Sequence, residues 1–234
     1  MLAVTSFHPE GFEKYGRRCL EGLAEFFPGR IVAYHEELPP ELNVKVDYRD
    51  LFSIPGLNPF LERIKRVAGA NGYGHDGYDY RYDCNKFCRK VFAQDAVFDE
   101  DEYVFWIDAD TVVKQEIREG FLKEIFEGTA LAYMGRNTYT ETGFVGFHTK
   151  HPDFERFRKN YLPWITSGKI FGQLKGWHDC IAFDQAREGL KGRNLTPRGR
   201  NYDPVMVNSV LHPFLDHLKG NRKHDGKPPR VKWT

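Results

Sequence analysis

The chain has only four cysteines, Cys19, Cys84, Cys88 and Cys180, in 234 residues. Two are spaced i,i+4, but no second pair stands where a zinc site would need it. So few scattered thiols read as free groups in a reducing compartment rather than a disulfide framework. No apolar run approaches the roughly eighteen residues that cross a bilayer. The opening MLAVTSFHPEGFEKYGRR lacks the charged start and long apolar stretch of a secretory leader. Neither sign of charge is in excess: 34 Lys and Arg against 33 Asp and Glu leave +1, no general reason to bind nucleic acid or acidic polymers. A GxGxxG after a strand is missing, which argues against NAD and FAD, and so are helix-turn-helix, zinc-finger and RNP signatures. Internal repeats and linkers are missing too. The expectation is one domain, 1–234, with no membrane span, working in the cytoplasm.

What the chain does have is ample core material, 41% apolar and 15% aromatic residues, and one stretch that organises the rest. Tyr103 to Val113 reads YVFWIDADTVV. Its first five residues are a bulky, β-branched run too short for a core helix, as expected of a strand buried on both faces of a mostly parallel sheet. It ends in Asp108-Ala109-Asp110. Carboxylates at the carboxyl edge of a buried strand stand where open α/β sheets place their ligands. At strand spacing the two Asp residues face one side, about 6 to 7 Å apart at Cα, which suits one hard divalent cation.

The flanking chain predicts an α/β fold. Leu2–Thr5 and Arg30–Tyr34 read as strands around a helix over 12–26, a βαβ opening. Val44–Val46 reads as a short strand, 59–67 as a helix, and 69–80 as a Gly- and Tyr-rich loop, equally a lid or a surface excursion. Tyr80–Gln94 reads as a helix whose basic residues, Arg81 and Lys86 among them, stand near the DAD strand and its ligand, although charged helix positions are usually solvated. A helix is expected over 117–126, strands over 130–135 and 140–147, and a helix from Asp153 to Ile165. The glycines of Glu141-Thr142-Gly143-Phe144-Val145-Gly146 leave room for a backbone or ligand. Trp177-His178-Asp179 precedes a last helix, which His178-Asp179 could equally cap. From Lys191 on, basic side chains far outnumber the acidic ones, and His217-Leu218-Lys219-Gly220-Asn221-Arg222-Lys223 combines a metal-capable imidazole with clustered cations. A carboxylate pair, one His and a later Lys together would hold a divalent metal and neutralise a diphosphate. Alone, the segment reads as a basic terminus.

With both motifs in view, the chain resembles the GT-A-fold nucleotide-sugar glycosyltransferases, particularly the glycogenin and lipopolysaccharide galactosyltransferase group. That group has a DxD after a buried strand and a late HxxGxxK, matched here by Asp108/Asp110 and by His217, Gly220 and Lys223. The match departs after the lysine: Pro-Trp usually follows, whereas here His224-Asp225 follows and Lys227-Pro228-Pro229 comes later. The resemblance implies a Rossmann-like single domain whose segment 212–234 closes the donor site. It implies Mn²⁺ or Mg²⁺ on Asp108, Asp110 and His217, and a nucleotide-diphosphate sugar held by Gly220 and Lys223, with Thr5, Arg81 and Lys86 on the donor side. Glu141, Gly143, Trp177 and His178 would line the sugar and acceptor pocket. Asp179 would bind sugar hydroxyls or stabilise charge at the anomeric carbon, without a covalent role, in a retaining transfer.

A further likeness is to the phage glycosyltransferases associated with TET/JBP hydroxylases, which implies modified DNA bearing 5-hydroxymethylpyrimidine as acceptor, and a bacterial or phage-infected cell as setting. Saccharide- or lipid-linked hydroxyl acceptors suit the same core. A nucleotidyltransferase and a non-enzymatic nucleic-acid-binding protein are the competing readings. The sequence assigns no oligomeric state.

Overall fold

The computed structural model describes residues 1–37, 42–197, 204–220 and 222–225, apart from the side chains of 224 and 225. The chain starts with strand β1 (Leu2–Phe7) and returns through α1, a continuous helical stretch of Pro9–Gly11, a π-helical turn Phe12–Gly16 and Arg17–Phe26. Then come β2 (Arg30–His35), β3 (Asp47–Asp50) and α2 (Leu57–Ile64). The Gly- and Tyr-rich stretch is neither bare loop nor helix but a small hairpin, β4 (Tyr73–Gly74) and β5 (Gly77–Tyr78), ahead of α3 (Cys84–Asp95). Beyond it lie β6 (Tyr103–Ile107), β7 (Thr111–Val113), α4 (Glu119–Glu124), β8 (Leu131–Met134) and β9 (Glu141–His148). The chain continues through α5 (Phe154–Thr166), α6 (Asp179–Ala186), β10 (Arg193–Asn194), α7 (Val205–Asn208), β11 (Leu215–His217) and α8 (Arg222–Asp225).

Seven strands form one sheet in the order β10-β8-β9-β6-β1-β2-β3. β9 runs antiparallel to β6 and β8, and the remaining neighbours are parallel. The fold is therefore α/β with a mostly parallel central sheet, and the βαβ opening is present as the parallel β1–β2 pair. Alternation along β1 assigns Leu2 and Val4 to the apolar layer with α2, α3, α5 and α6, and Ala3 and Phe7 to the layer with α1 and α4. β6 is buried between those layers, as its unbroken apolar run requires.

Two expectations shift. The third strand is Asp47–Asp50, not Val44–Val46: its residues are half or fully exposed at the sheet edge, so no apolar run marks it. The helix expected from Tyr80 begins at Cys84, where the Asp83 carboxylate accepts from Lys86 N at 3.0 Å as N-cap; Tyr80–Tyr82 is a 3₁₀ turn. No helix among the described residues is long and apolar enough to cross a membrane.

Candidate functional site

β6 delivers its two aspartates to the carboxyl end of the parallel strands, and the chain is held there by its backbone. Asp108 N donates to Gly143 O at 2.9 Å, and Thr111 N closes the DAD turn on Asp108 O at 2.9 Å. The Val112-Val113 pair then has a specific use. β7 pairs antiparallel with β11, placing His217 opposite Thr111, and Leu218 N donates to Asp110 O at 2.9 Å. The late histidine reaches the DAD turn through a two-stranded ribbon.

Ligand atoms of Asp108, Asp110 and His217 lie within 4.8 Å of one another. His217 Nε2 is 2.9 Å from Asp110 Oδ1 and 3.7 Å from Asp108 Oδ2. The other oxygen of Asp108 is already engaged, accepting from Trp106 Nε1 at 2.6 Å and from Lys90 Nζ at 2.8 Å. Asp110 Oδ2 is 2.6 Å from Lys223 Nζ, whose charge also lies over the Tyr15 ring. One oxygen of each aspartate and one imidazole nitrogen thus converge, a hard and borderline donor set that suits Mn²⁺ or Mg²⁺. The second imidazole nitrogen adds to the fit: His217 Nδ1 is buried without a hydrogen-bond partner and 3.7 Å from Glu141 Oε1. A carboxylate behind the far nitrogen is the usual support of a metal-bound histidine.

The cluster is electrostatically tense. Burial would raise the Asp110 carboxyl, but the His217 and Lys223 charges overcome it and hold the group well below the usual carboxylate range. Glu141 is likewise pulled down to about 2 against its burial, by His217, Lys219 and Arg136. Burial favours a neutral His217, yet Asp110, Asp108 and Glu141 raise its pKa.

A second network lies behind Asp108. Lys90, on α3, is only 8% exposed. Its ammonium is 2.9 Å from Asp179 Oδ2 and donates to Thr142 O at 2.7 Å, besides the bond to Asp108. Thr142 Oγ1 donates to Asp179 Oδ2 at 2.5 Å. Burial disfavours the Lys90 charge, but Asp108 and Asp179 keep it protonated. Asp179 is depressed despite burial by Lys90, His178 and Thr142.

These groups face one cavity of about 700 Å³. It brings together Asp108, Asp110, Glu141, His178, Asp179 and His217 with Lys86, Gly220 and Lys223, drawn from all parts of the chain. Gly220 has φ +58°, a left-handed turn that glycine adopts without strain. Four expected site residues do not line this cavity. Thr5 is fully buried inside β1 and does not line the cavity; Ser6, Phe7 and His8 do, because the strand runs on past it. Arg81 is held by Asp79 at a second cavity, and Trp177 lines that cavity too. Gly143 does not line the cavity; it makes room for the His217 ring above it. Within the cavity, the Glu141 carboxylate is occupied by Lys219, Arg136 and the Gly143 amide rather than open to a sugar. His178 shows no side-chain cap on α6; its ring lies edge-on to Tyr139. Residues 226–234, including Lys227-Pro228-Pro229, lie outside the described residues.

Sequence reasoning gave no site role to Arg136 or Tyr15, and it named Lys90 and Lys219 only among the basic residues of their segments. Lys90 had one available signal: Val91-Phe92-Ala93 follows it, and three successive apolar residues fit only a helix turn enclosed on all sides.

No protein-family model matches the chain, and no curated protein matches it. Among solved structures, it is similar to the apo form of mouse xyloside xylosyltransferase 1, with TM-score 0.44 and 12% identity over 80% of this chain and 82% of that one. It is similar to the glycosyltransferase GlyE of Streptococcus pneumoniae, with TM-score 0.47 and 11% identity over 81% of this chain and 44% of that one. It is also similar to the bifunctional glycosyltransferase WbbM, with TM-score 0.48 and 13% identity over 80% of this chain and 37% of that one. The chain thus spans less than half the length of two of these proteins.

Proposed function

We propose that the chain is a metal-dependent glycosyltransferase that moves a sugar from a nucleotide-diphosphate sugar to a hydroxyl acceptor. The observation that carries this reading is the convergence of Asp108, Asp110 and His217 beside Lys223 and Gly220 in one cavity. Together they pair a cation site with further positive charge, which a diphosphate leaving group requires. Asp108, Asp110 and His217 would hold a divalent cation, which would supply charge neutralisation at the departing diphosphate. Lys223 lies within reach of the same oxygens and gives up its contact with Asp110 to do so. Gly220 allows the backbone to approach the phosphates closely. The segment from residue 212 to Asp225 closes the donor side of a single catalytic unit.

Behind Asp108, Lys90 and Thr142 hold the buried Asp179 carboxylate as a fixed negative charge facing the cavity. That charge favours the positive character that grows at the anomeric carbon. With both its cation and its hydroxyl donor in place, Asp179 orients and stabilises rather than forming a bond. The configuration is retained.

The test is turnover with UDP-, GDP-, ADP- and CDP-sugars, each with and without Mn²⁺ or Mg²⁺. Metal-dependent release of the nucleoside diphosphate, with retained configuration in the product by NMR, is the expected result. Release of pyrophosphate from nucleoside triphosphates would instead identify a nucleotidyltransferase.

A further inference from the structure

Beside the donor cavity lies a second one of about 820 Å³, floored by the β4–β5 hairpin and Trp177. We infer that this second cavity is the acceptor site, and that its occupant is a neutral saccharide rather than a nucleic acid. The inference rests on the glycosyltransferase reading above and names the acceptor class for it.

Three observations lead there. The two cavities are neighbours: Tyr80 lines both, and its hydroxyl is 3.3 Å from that of Tyr139, which lines the donor cavity. An acceptor seated on the hairpin therefore lies next to the donor cavity, with Tyr80 between them.

The second observation is the surface chemistry. Tyr73, Tyr78 and Tyr80 are 64%, 49% and 51% exposed, a cluster of large aromatic rings left in water. A sugar ring has an apolar face of C–H bonds and a rim of hydroxyls, so it fits against aromatic faces bordered by carboxylates such as Asp76 and Asp79. The rings are held in place beforehand. Tyr78 Oη donates to Asp83 at 2.9 Å, Trp177 N donates to Arg81 O at 2.6 Å, and Trp177 packs edge-on to Tyr82 at 5.2 Å. Gly72 makes this possible: a Cβ there would meet the Tyr78 ring at 2.6 Å.

The third observation is charge. The Arg81 cation lining this cavity is already matched by a carboxylate. Arg81 Nε is 3.0 Å from both oxygens of Asp79, and His75 Nδ1 is 3.2 Å from Asp76. A DNA or RNA acceptor would need Lys and Arg for its phosphates, and here the carboxylates oppose it. A neutral glycan meets no such penalty.

The full chain, loaded with Mn²⁺ and UDP, GDP, ADP or CDP, is applied to an array of neutral oligosaccharides. The array also carries sialylated and sulfated glycans and single- and double-stranded DNA containing hydroxymethylcytosine. Hits are titrated by Trp fluorescence against wild type, Tyr73→Ala and Tyr73→Phe. Binding of a neutral glycan, weakened about tenfold by Tyr73→Ala and kept by Tyr73→Phe, is the expected result. Nucleotide binding without any neutral-glycan binding would overturn the inference and leave the donor reading intact. Preference for DNA, or glycan affinity indifferent to Tyr73→Ala, would overturn it as well. Failure of every nucleotide to bind would remove the donor reading, and the acceptor assignment with it.

Discussion

Gly143 makes the space that the His217 ring fills: a Cβ built at Gly143 would lie 2.5 Å from Nδ1 and 2.6 Å from Cε1 of that ring. The glycine's carbonyl also holds the Asp108 amide, so one residue of β9 sets the position of two of the three convergent side chains. Gly143→Ala must displace the imidazole from its present position. The expected outcome is about a 10- to 100-fold loss of Mn²⁺ affinity by calorimetry. A stability loss on the order of 1–3 kcal/mol in urea unfolding accompanies it. In the double variant with His217→Ala the overlap is gone, so the two stability losses should fall short of additive.

Lys90 Nζ lies 2.9 Å from Asp179 Oδ2, and Asp179 is 2% exposed. Lys90→Met leaves that carboxylate buried and unmatched, at a cost of about 3–5 kcal/mol. Urea unfolding at neutral pH measures it. Adding Asp179→Asn to the same chain should recover part of the loss, which a simple packing defect at Lys90 would not allow.

Asp110→Asn and His217→Ala should each abolish metal-dependent transfer and leave the far-UV circular dichroism spectrum unchanged. Lys223→Ala should raise the donor KM and lower kcat, since the charge that it meets grows as the diphosphate departs. Nucleoside-diphosphate release is the readout. Wild-type metal dependence in both His217→Ala and Lys223→Ala would take the late segment out of the site.

Far from the cavity, Glu100 ties the sheet edge by bonding to Arg49 of β3 and Arg30 at the start of β2. The hydrogen bond from Arg49, then the nearby guanidinium charges, lower its pKa from 4.5 in spite of burial. A depressed carboxyl contributes stability above its unfolded pKa and loses it as pH falls through the folded value. Wild type should therefore exceed Glu100→Gln in stability at pH 7, by on the order of 1 kcal/mol for a partly screened pair. The gap should close as pH is lowered through 4 and below. A gap that is constant from pH 7 to pH 3 would mean that the charge plays no part.

Which parts were legible in the sequence follows from which signals local chemistry leaves. β6 and the DAD turn stood out because a strand enclosed on both faces must be apolar throughout and then stop at carboxylates. β3 was invisible because Asp47-Tyr48-Arg49-Asp50, at a half-exposed edge, carries no apolar period. Asp108, Asp110 and His217 could be named separately, but the pairing of Thr111 with His217 that joins them is a long-range contact without a local mark. Thr5 and Arg81 lie off the first cavity for a related reason: which end of a strand faces a cavity, and which carboxylate captures an arginine, depend on neighbours brought in by the fold. Lys90 stayed hidden because a lysine on a helix ordinarily faces water, and here α3 is closed in by β1, α5 and α6.

The most direct test of the donor site is a calorimetric titration of UDP, GDP, ADP and CDP into wild type and His217→Ala, each with Mn²⁺ and with chelator. In wild type, at least one diphosphate should bind ten times or more tightly with Mn²⁺ than without, and that difference should vanish in His217→Ala. Equal affinity with and without the ion in wild type, or no diphosphate bound at all, would contradict a metal-assisted diphosphate site.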